Sequence, residues 1–137
     1  MVDSSLVKKL KLKAGQRALV INAPEGYLDE LRAAATGVEL VDNLEGQYDW
    51  VQVFVKNKAE LDRLFPLVVS ALKPVSMLWI SFPKGSSKIQ TDLTRDKGWD
   101  IIQQSGLKWL SLISVDETWS GFALRPYKTG EIRQSFR

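Results

Sequence analysis

The 137-residue sequence contains no cysteine and no histidine. Without cysteine there is no disulfide, no thiolate nucleophile and no cysteine-held zinc, haem or iron–sulfur centre. Without histidine there is no imidazole acid or base, and no triad built on one. Any chemistry falls to Asp, Glu, Lys, Ser, Thr, Tyr, Arg and backbone amides, and no metal site is expected. No apolar run approaches the roughly 20 residues that a membrane-spanning helix requires. The lysine-rich start, Met1 to Leu12, has neither a continuous apolar stretch nor a small-residue cleavage site, so it does not read as a signal peptide. A cytoplasmic protein without membrane contact is the expectation.

What is present is ordinary in amount and uneven in placement. A composition 45% hydrophobic and 26% charged suits one soluble domain with its own core. The formal net charge of +3 conceals a gradient along the chain. Residues 1–17 carry +4, from Lys8, Lys9, Lys11, Lys13 and Arg17 against Asp3. Residues 120–137 carry +3, from Arg125, Lys128, Arg133 and Arg137 against Glu131, which leaves the middle at −4. Nucleic-acid surfaces interleave basic with aromatic side chains, and among the basic residues of these ends only Tyr127 and Phe136 are interspersed, Phe122 lying ahead of the first arginine. The pattern argues against nucleic acid. It divides the chain into a basic extension at 1–14, a single domain at 15–126 and a loosely ordered basic tail at 127–137.

Within the domain, apolar strands alternate with helices. Arg17 to Asn22 is a near-continuous apolar run, as in a parallel strand covered on both faces. Pro24 suits the first turn of a helix carried by Tyr27, Leu28, Leu31 and Ala35 and stopped at Gly37. Val38 to Asp42 and Tyr48 to Val55 read as strands. Leu61, Leu64, Phe65, Val68 and Leu72 mark a helix from about Lys58 to Lys73, with a kink or late start at Pro66. Val75 to Phe82 is a fourth strand. A helix capped by Asp92 or Thr94 then runs to about Ser105, with Gly106 beyond it. Leu107 to Val115 and Gly121 to Arg125 are the last strands. The gap between them is too short for a parallel crossover, so the final strand runs antiparallel at one edge. The fold class is α/β: a three-layer, Rossmann-like, mostly parallel sheet with an antiparallel C-terminal edge hairpin.

This order resembles the class I S-adenosylmethionine-dependent methyltransferase fold. Tyr48-Asp49-Trp50-Val51-Gln52-Val53 resembles the acidic start of that fold's fourth strand, and Leu72-Lys73-Pro74-Val75-Ser76-Met77-Leu78 its passage from helix to fifth strand. The sequence departs at the glycine-rich loop, where Asn22-Ala23-Pro24-Glu25-Gly26-Tyr27 keeps only Gly26. It also lacks one helix and one strand between Asp42 and Tyr48. Three segments resemble a small bacterial family of unknown function: Asn-Ala-Pro-Glu-Gly at 22–26, Trp-Ile-Ser-Phe-Pro-Lys at 79–84 with Thr91-Asp92 beyond, and Asp-Glu-Thr-Trp-Ser-Gly at 116–121. The resemblance implies a Rossmann-like fold without the glycine-rich motif and leaves the activity open.

Open α/β sheets bind ligands beyond the carboxyl ends of their strands. There this sequence places Asn22, Glu25, Gly26, Asp42, Ser81, Lys84, Ser86, Ser87, Asp116, Thr118 and Trp119, which form the candidate ligand-binding set. Pro24 removes an amide donor and Glu25 puts a negative charge at the helix start, which argues against a pyrophosphate and so against NAD or FAD. The same pair also simply begins a helix well. Asp42 stands where such sheets hold ribose hydroxyls, and is equally a turn former. Lys84-Gly85-Ser86-Ser87-Lys88 can cradle an anion or remain a solvated loop, but lacks P-loop spacing. Trp119 either folds back on the core edge or stacks on a ligand. Asp116 and Glu117, adjacent in extended chain, point to opposite faces and make a poor catalytic pair.

No residue designates itself as catalytic, and whether the protein is an enzyme stays open. The expected function is binding of a small nucleotide-like or anionic molecule, or of a protein partner, at the strand-end rim. The alternative is a compact methyltransferase using S-adenosylmethionine, since methyl transfer rests mainly on positioning. A homodimer through the edge hairpin is a third reading, favoured by an exposed Trp109 or Leu110 stripe.

Overall fold

The computed structural model describes residues 2–133. The chain runs α1(Ser4–Lys9), β1(Arg17–Ile21), α2(Tyr27–Ala34), β2(Glu39–Val41), β3(Tyr48–Phe54), α3(Lys58–Val69), β4(Leu72–Pro83), α4(Asp100–Ser105), β5(Leu107–Ser114) and β6(Trp119–Pro126). The strands form one six-stranded sheet in the order β2-β1-β3-β4-β6-β5. β2, β1, β3 and β4 are parallel, and β6 is antiparallel to both β4 and β5. The hairpin does close the sheet's C-terminal side. Its final strand, however, is not the edge: β6 inserts between β4 and β5, and β5 is outermost.

Alternation along each strand separates two cores. Leu19, Val51, Val53, Ile80 and Phe82 face α3 and α4, where Leu61, Leu64, Phe65, Val68, Trp99 and Ile102 cover them. Ala18, Val20, Trp50, Phe54 and Trp79 face the other way, under Leu6, Leu10, Tyr27 and Leu31 of α1 and α2. The near-continuous apolar strands follow from this cover on both faces. Among the described residues, no helix is long and apolar enough to cross a membrane.

Three segments differ from the sequence reading, each for a local reason. Residues 1–14 do not lie outside the domain. Leu6, Leu10 and Leu12 are buried in the second core. The Leu10 carbonyl accepts hydrogen bonds from both Trp50 Nε1 and Trp79 Nε1, each at 2.8 Å. Lysines on the outer side of the segment hide this apolar stripe from a charge count. The expected helix from Asp92 or Thr94 shrinks to Asp100–Ser105. Thr91 and Thr94 hydroxyls accept from the backbone N–H groups of Leu93, Asp96 and Lys97, which competes with helix formation. Asp92 instead accepts from Lys58 N at 2.7 Å, at the start of α3. At the other end, β4 begins at Leu72 and runs through Pro74, because the register with β3 jumps between Tyr48↔Leu72 and Trp50↔Met77. Pro74 lies in that bulge, where no ladder donor is needed.

The tail is tied down as far as it is described. Glu131 pairs with Lys108 and Arg125 at 2.6 Å each, and Arg133 donates to the Gly106 carbonyl at 2.9 Å. Residues 134–137 of the expected loose tail lie outside the described residues. Trp109 packs edge-on to Trp99 and Phe122, so it does not form an exposed stripe on β5.

Candidate functional site

The carboxyl ends of β1 and β2 leave an open cleft of about 370 Å³, lined by Val20, Asn22, Ala23, Pro24, Gly26, Leu28, Asp29 and Asp42. It forms because the chain turns sharply after β1. Asn22 takes a left-handed conformation at φ +62, and Gly26 takes one at φ +82. A side chain at Gly26 would meet only Glu30, 3.9 Å away, so the backbone angle and not crowding calls for glycine. Gly26 then opens α2 without a side-chain cap. Glu25, exposed beside it, and Asp29 and Glu30 in the first turn put negative charge at the helix start.

Asn22 does more than line the cleft. Its amide donates to the Phe54 carbonyl at 2.8 Å and to Glu60 Oε1 at 3.0 Å. Glu60 Oε1 also accepts from Lys56 N at 2.9 Å. This network ties the end of β1 to the end of β3 and bridges the crevice between them. The cleft that remains open lies on the β1–β2 side. Two carboxylates line it, Asp29 and Asp42, and no lysine or arginine does. Arg32 reaches Asp29 at 3.5 Å, but that pair is exposed and weak.

Behind α2 runs a buried polar chain. Tyr27 donates its hydroxyl to Gln52 Oε1 at 2.7 Å, and Gln52 Nε2 donates to Ser81 Oγ at 3.0 Å. Burial pushes the Tyr27 phenol well above its ordinary range, the Gln52 bond opposes that shift, and the charge of Asp116 adds to it. Tyr27 is therefore a fixed proton donor in the core. The sequence offered one sign of this chain: Gln52 is a polar residue inside the run Trp-Val-Gln-Val-Phe-Val.

The candidate residues divide accordingly. Asn22, Gly26 and Asp42 meet at the β1–β2 cleft, with Glu25 on its loop. Ser81 is fully buried and satisfied by Gln52, so it belongs to the sheet interior and not to the rim. Trp119 is folded back, 6% exposed, its ring edge-on to Phe54 with centroids 5.1 Å apart. Asp116 accepts from Thr118 N and Trp119 N, both at 2.8 Å, and so shapes the hairpin turn. The Thr118 carbonyl accepts from Lys84 N at 2.8 Å, which joins that turn to the end of β4. Ser87 closes its own loop on the Lys84 carbonyl, and Ser86 is exposed. Lys84 lines a second cleft, of about 200 Å³, with Phe82, Leu93, Thr94, Arg95, Leu112 and Ser120. That cleft opens on the α3–α4 face, whereas Val20 and Leu28 place the first on the α2 face. The eleven residues thus do not form one site. Among the described residues no cluster of acidic side chains has the geometry to hold a metal.

No family model matches this sequence, and no curated protein does. Solved structures do match in shape. A S-adenosylmethionine-dependent methyltransferase from Aquifex aeolicus aligns at a TM-score of 0.54 and 13% identity, over 88% of this chain and 87% of that one. The DhpI complex with S-adenosylhomocysteine aligns at 0.59 and 13%, over 90% and 83%. The glycopeptide N-methyltransferase MtfA aligns at 0.59 and 11%, over 90% and 89%. The chain has a methyltransferase-like, Rossmann-like fold.

Proposed function

We propose that the β1–β2 cleft binds an adenosyl ligand of the S-adenosylmethionine class, and that the chain works as a compact methyltransferase-type protein. The carrying observation is the charge of the cleft. Asp29 and Asp42 line it, Glu25 stands beside it, and no cationic side chain enters it. Such a site repels the phosphates of ATP or NAD. It attracts the sulfonium and ammonium of S-adenosylmethionine. Pro24 and Glu25 stand where a pyrophosphate would need amide donors and positive potential. Asp42 follows β2, the position from which Rossmann-like sheets hold ribose hydroxyls. The likeness to methyltransferases of solved structure supports the same ligand class.

When bound, S-adenosylmethionine supplies an electrophilic methyl group. The residues of this chain contribute orientation: Asp42 toward the ribose, the Asn22–Gly26 turn as the wall of the cleft, and the Asn22 bridge as a barrier toward β3. The volume of about 370 Å³ lies in the range of roughly 300–1,000 Å³ found for small-molecule sites.

Titration calorimetry with S-adenosylmethionine, S-adenosylhomocysteine, ATP and NAD tests the reading. The adenosyl compounds are expected to bind and the two phosphate-bearing ones not to. Asp42→Ala is expected to weaken S-adenosylmethionine roughly tenfold or more, as loss of hydrogen bonds to a charged group does. Equal binding of ATP, or no heat from either adenosyl compound at millimolar concentration, refutes it.

A further inference from the structure

The second cleft carries its own chemistry. Its floor is apolar, made by Phe82, Leu93 and Leu112, and Leu112 is 40% exposed at its edge. Its rim is cationic, made by Lys84 and Arg95, with the hydroxyl-bearing Thr94 and Ser120 alongside. We propose that this cleft is a binding site for a small carboxylate with an apolar, single-ring body, separate from the adenosyl cleft.

Lys84 is pre-positioned for such a ligand. Its backbone N–H is held by the Thr118 carbonyl, and its Nζ donates to Ser114 Oγ at 2.6 Å. Ser87 closes the following turn on the Lys84 carbonyl. Among the described residues Lys84 takes part in no ion pair. The acid nearest in sequence to Ser114, Asp116, turns its Oδ1 to the N–H groups of Thr118 and Trp119 and forms no ion pair with Lys84. Lys84 thus lines an apolar cleft while its ammonium has a hydroxyl as partner. Arg95 can complete a two-point grip on a carboxylate. Its contact to Asp96 is long, 3.6 Å, and both side chains are largely exposed, so little is lost in giving it up.

Size and shape narrow the class. About 200 Å³ is below the roughly 300 Å³ at which drug-sized pockets begin, so the ligand is of one-ring size. Phe82 is already stacked on Phe122 and edge-on to Trp99, which makes the floor a rigid aromatic surface. The cleft lies on the α3–α4 face and the adenosyl cleft on the α2 face, so the two sites are independent.

The test uses benzoate as probe, with benzamide as its neutral counterpart and acetate as an anion without the ring. Backbone amide spectra of the full chain are followed during each titration. Benzoate is expected to shift the signals of Gly85, Thr94 and Leu112, with benzamide and acetate about tenfold weaker or more. Lys84→Gln and Arg95→Gln are each expected to weaken benzoate about tenfold, from loss of one charge-assisted contact. Asp42→Ala is expected to leave benzoate unchanged, so failure here is distinct from failure of the adenosyl reading. Benzamide binding as well as benzoate, shifts confined to other residues, or benzoate affinity unchanged in both variants overturns the proposal.

Discussion

Replacing Leu10 by alanine probes the docking of the N-terminal segment. Leu10 is 0% exposed and lies in the core formed with Trp50, Trp79 and Leu31. The substitution leaves the backbone carbonyl in place, so the hydrogen bonds from the two indoles are not deleted by it. What is lost is the buried side chain, with a cavity in its place. Substitutions of that kind cost about 3 kcal/mol, within a range of roughly 2.7–5. For a chain of this size roughly 3 °C of melting temperature accompanies each kcal/mol, so a drop of about 10 °C is expected. Urea unfolding followed by tryptophan fluorescence measures the change directly. The midpoint is expected to fall while the slope stays constant, since the surface exposed on unfolding barely changes. Lys8→Ala, on an exposed neighbour, serves as control and is expected within about 0.5 kcal/mol of the parent. If Leu10→Ala also falls within about 0.5 kcal/mol, the segment is a solvated extension and the two-core description is wrong.

Two further outcomes follow from buried or paired groups. Tyr27→Phe removes the donor to Gln52 Oε1 and leaves that oxygen unsatisfied in the core, so chemical denaturation is expected to show a loss of about 1–3 kcal/mol. A neutral result would mean that water reaches Gln52. Glu131 is held below its ordinary 4.5 by the Arg125 guanidinium first, then by the Lys108 ammonium and the Lys128 backbone N–H. A carboxyl lowered on folding contributes stability above its unfolded pKa, and loses it as pH falls below about 4.5. The stability gap between the parent and Glu131→Gln is therefore expected at pH 7 and to shrink steadily below pH 4.5. A gap that stays constant with pH would show that the three-way pairing does not persist in solution.

The strands were legible because their signal is local. The run from Arg17 carries the apolar density of a strand covered on both sides, the run from Tyr48 is rich in β-branched and aromatic residues, and each forms a buried strand. The run from Leu107 also forms a strand, but at the sheet's edge and only partly buried. The short gap before the last strand likewise required an antiparallel hairpin. Its placement was not legible: nothing in Gly121–Arg125 says that β6 pairs with β4 as well as β5. The helix expected from Asp92 failed where threonine hydroxyls captured the backbone, a competition that an apolar period does not record.

The candidate site shows the same division. That Asn22, Glu25, Gly26 and Asp42 lie at one sheet edge follows from strand ends, which the sequence marks. That Ser81 and Trp119 turn inward while Lys84 joins Arg95 at a second cleft does not. By itself the sequence determined which segments are strands, that the first of them is buried on both faces, and which chemistries the missing cysteine and histidine exclude. Tertiary structure alone decided that the lysine-rich start is core, that one carbonyl serves indoles 40 and 69 residues away, and that the rim is two clefts on opposite faces. The reason is physical. Periodicity encodes whether a side chain leaves water, whereas the partner of a buried polar group is chosen by sheet order, which brings together residues with no signal in common.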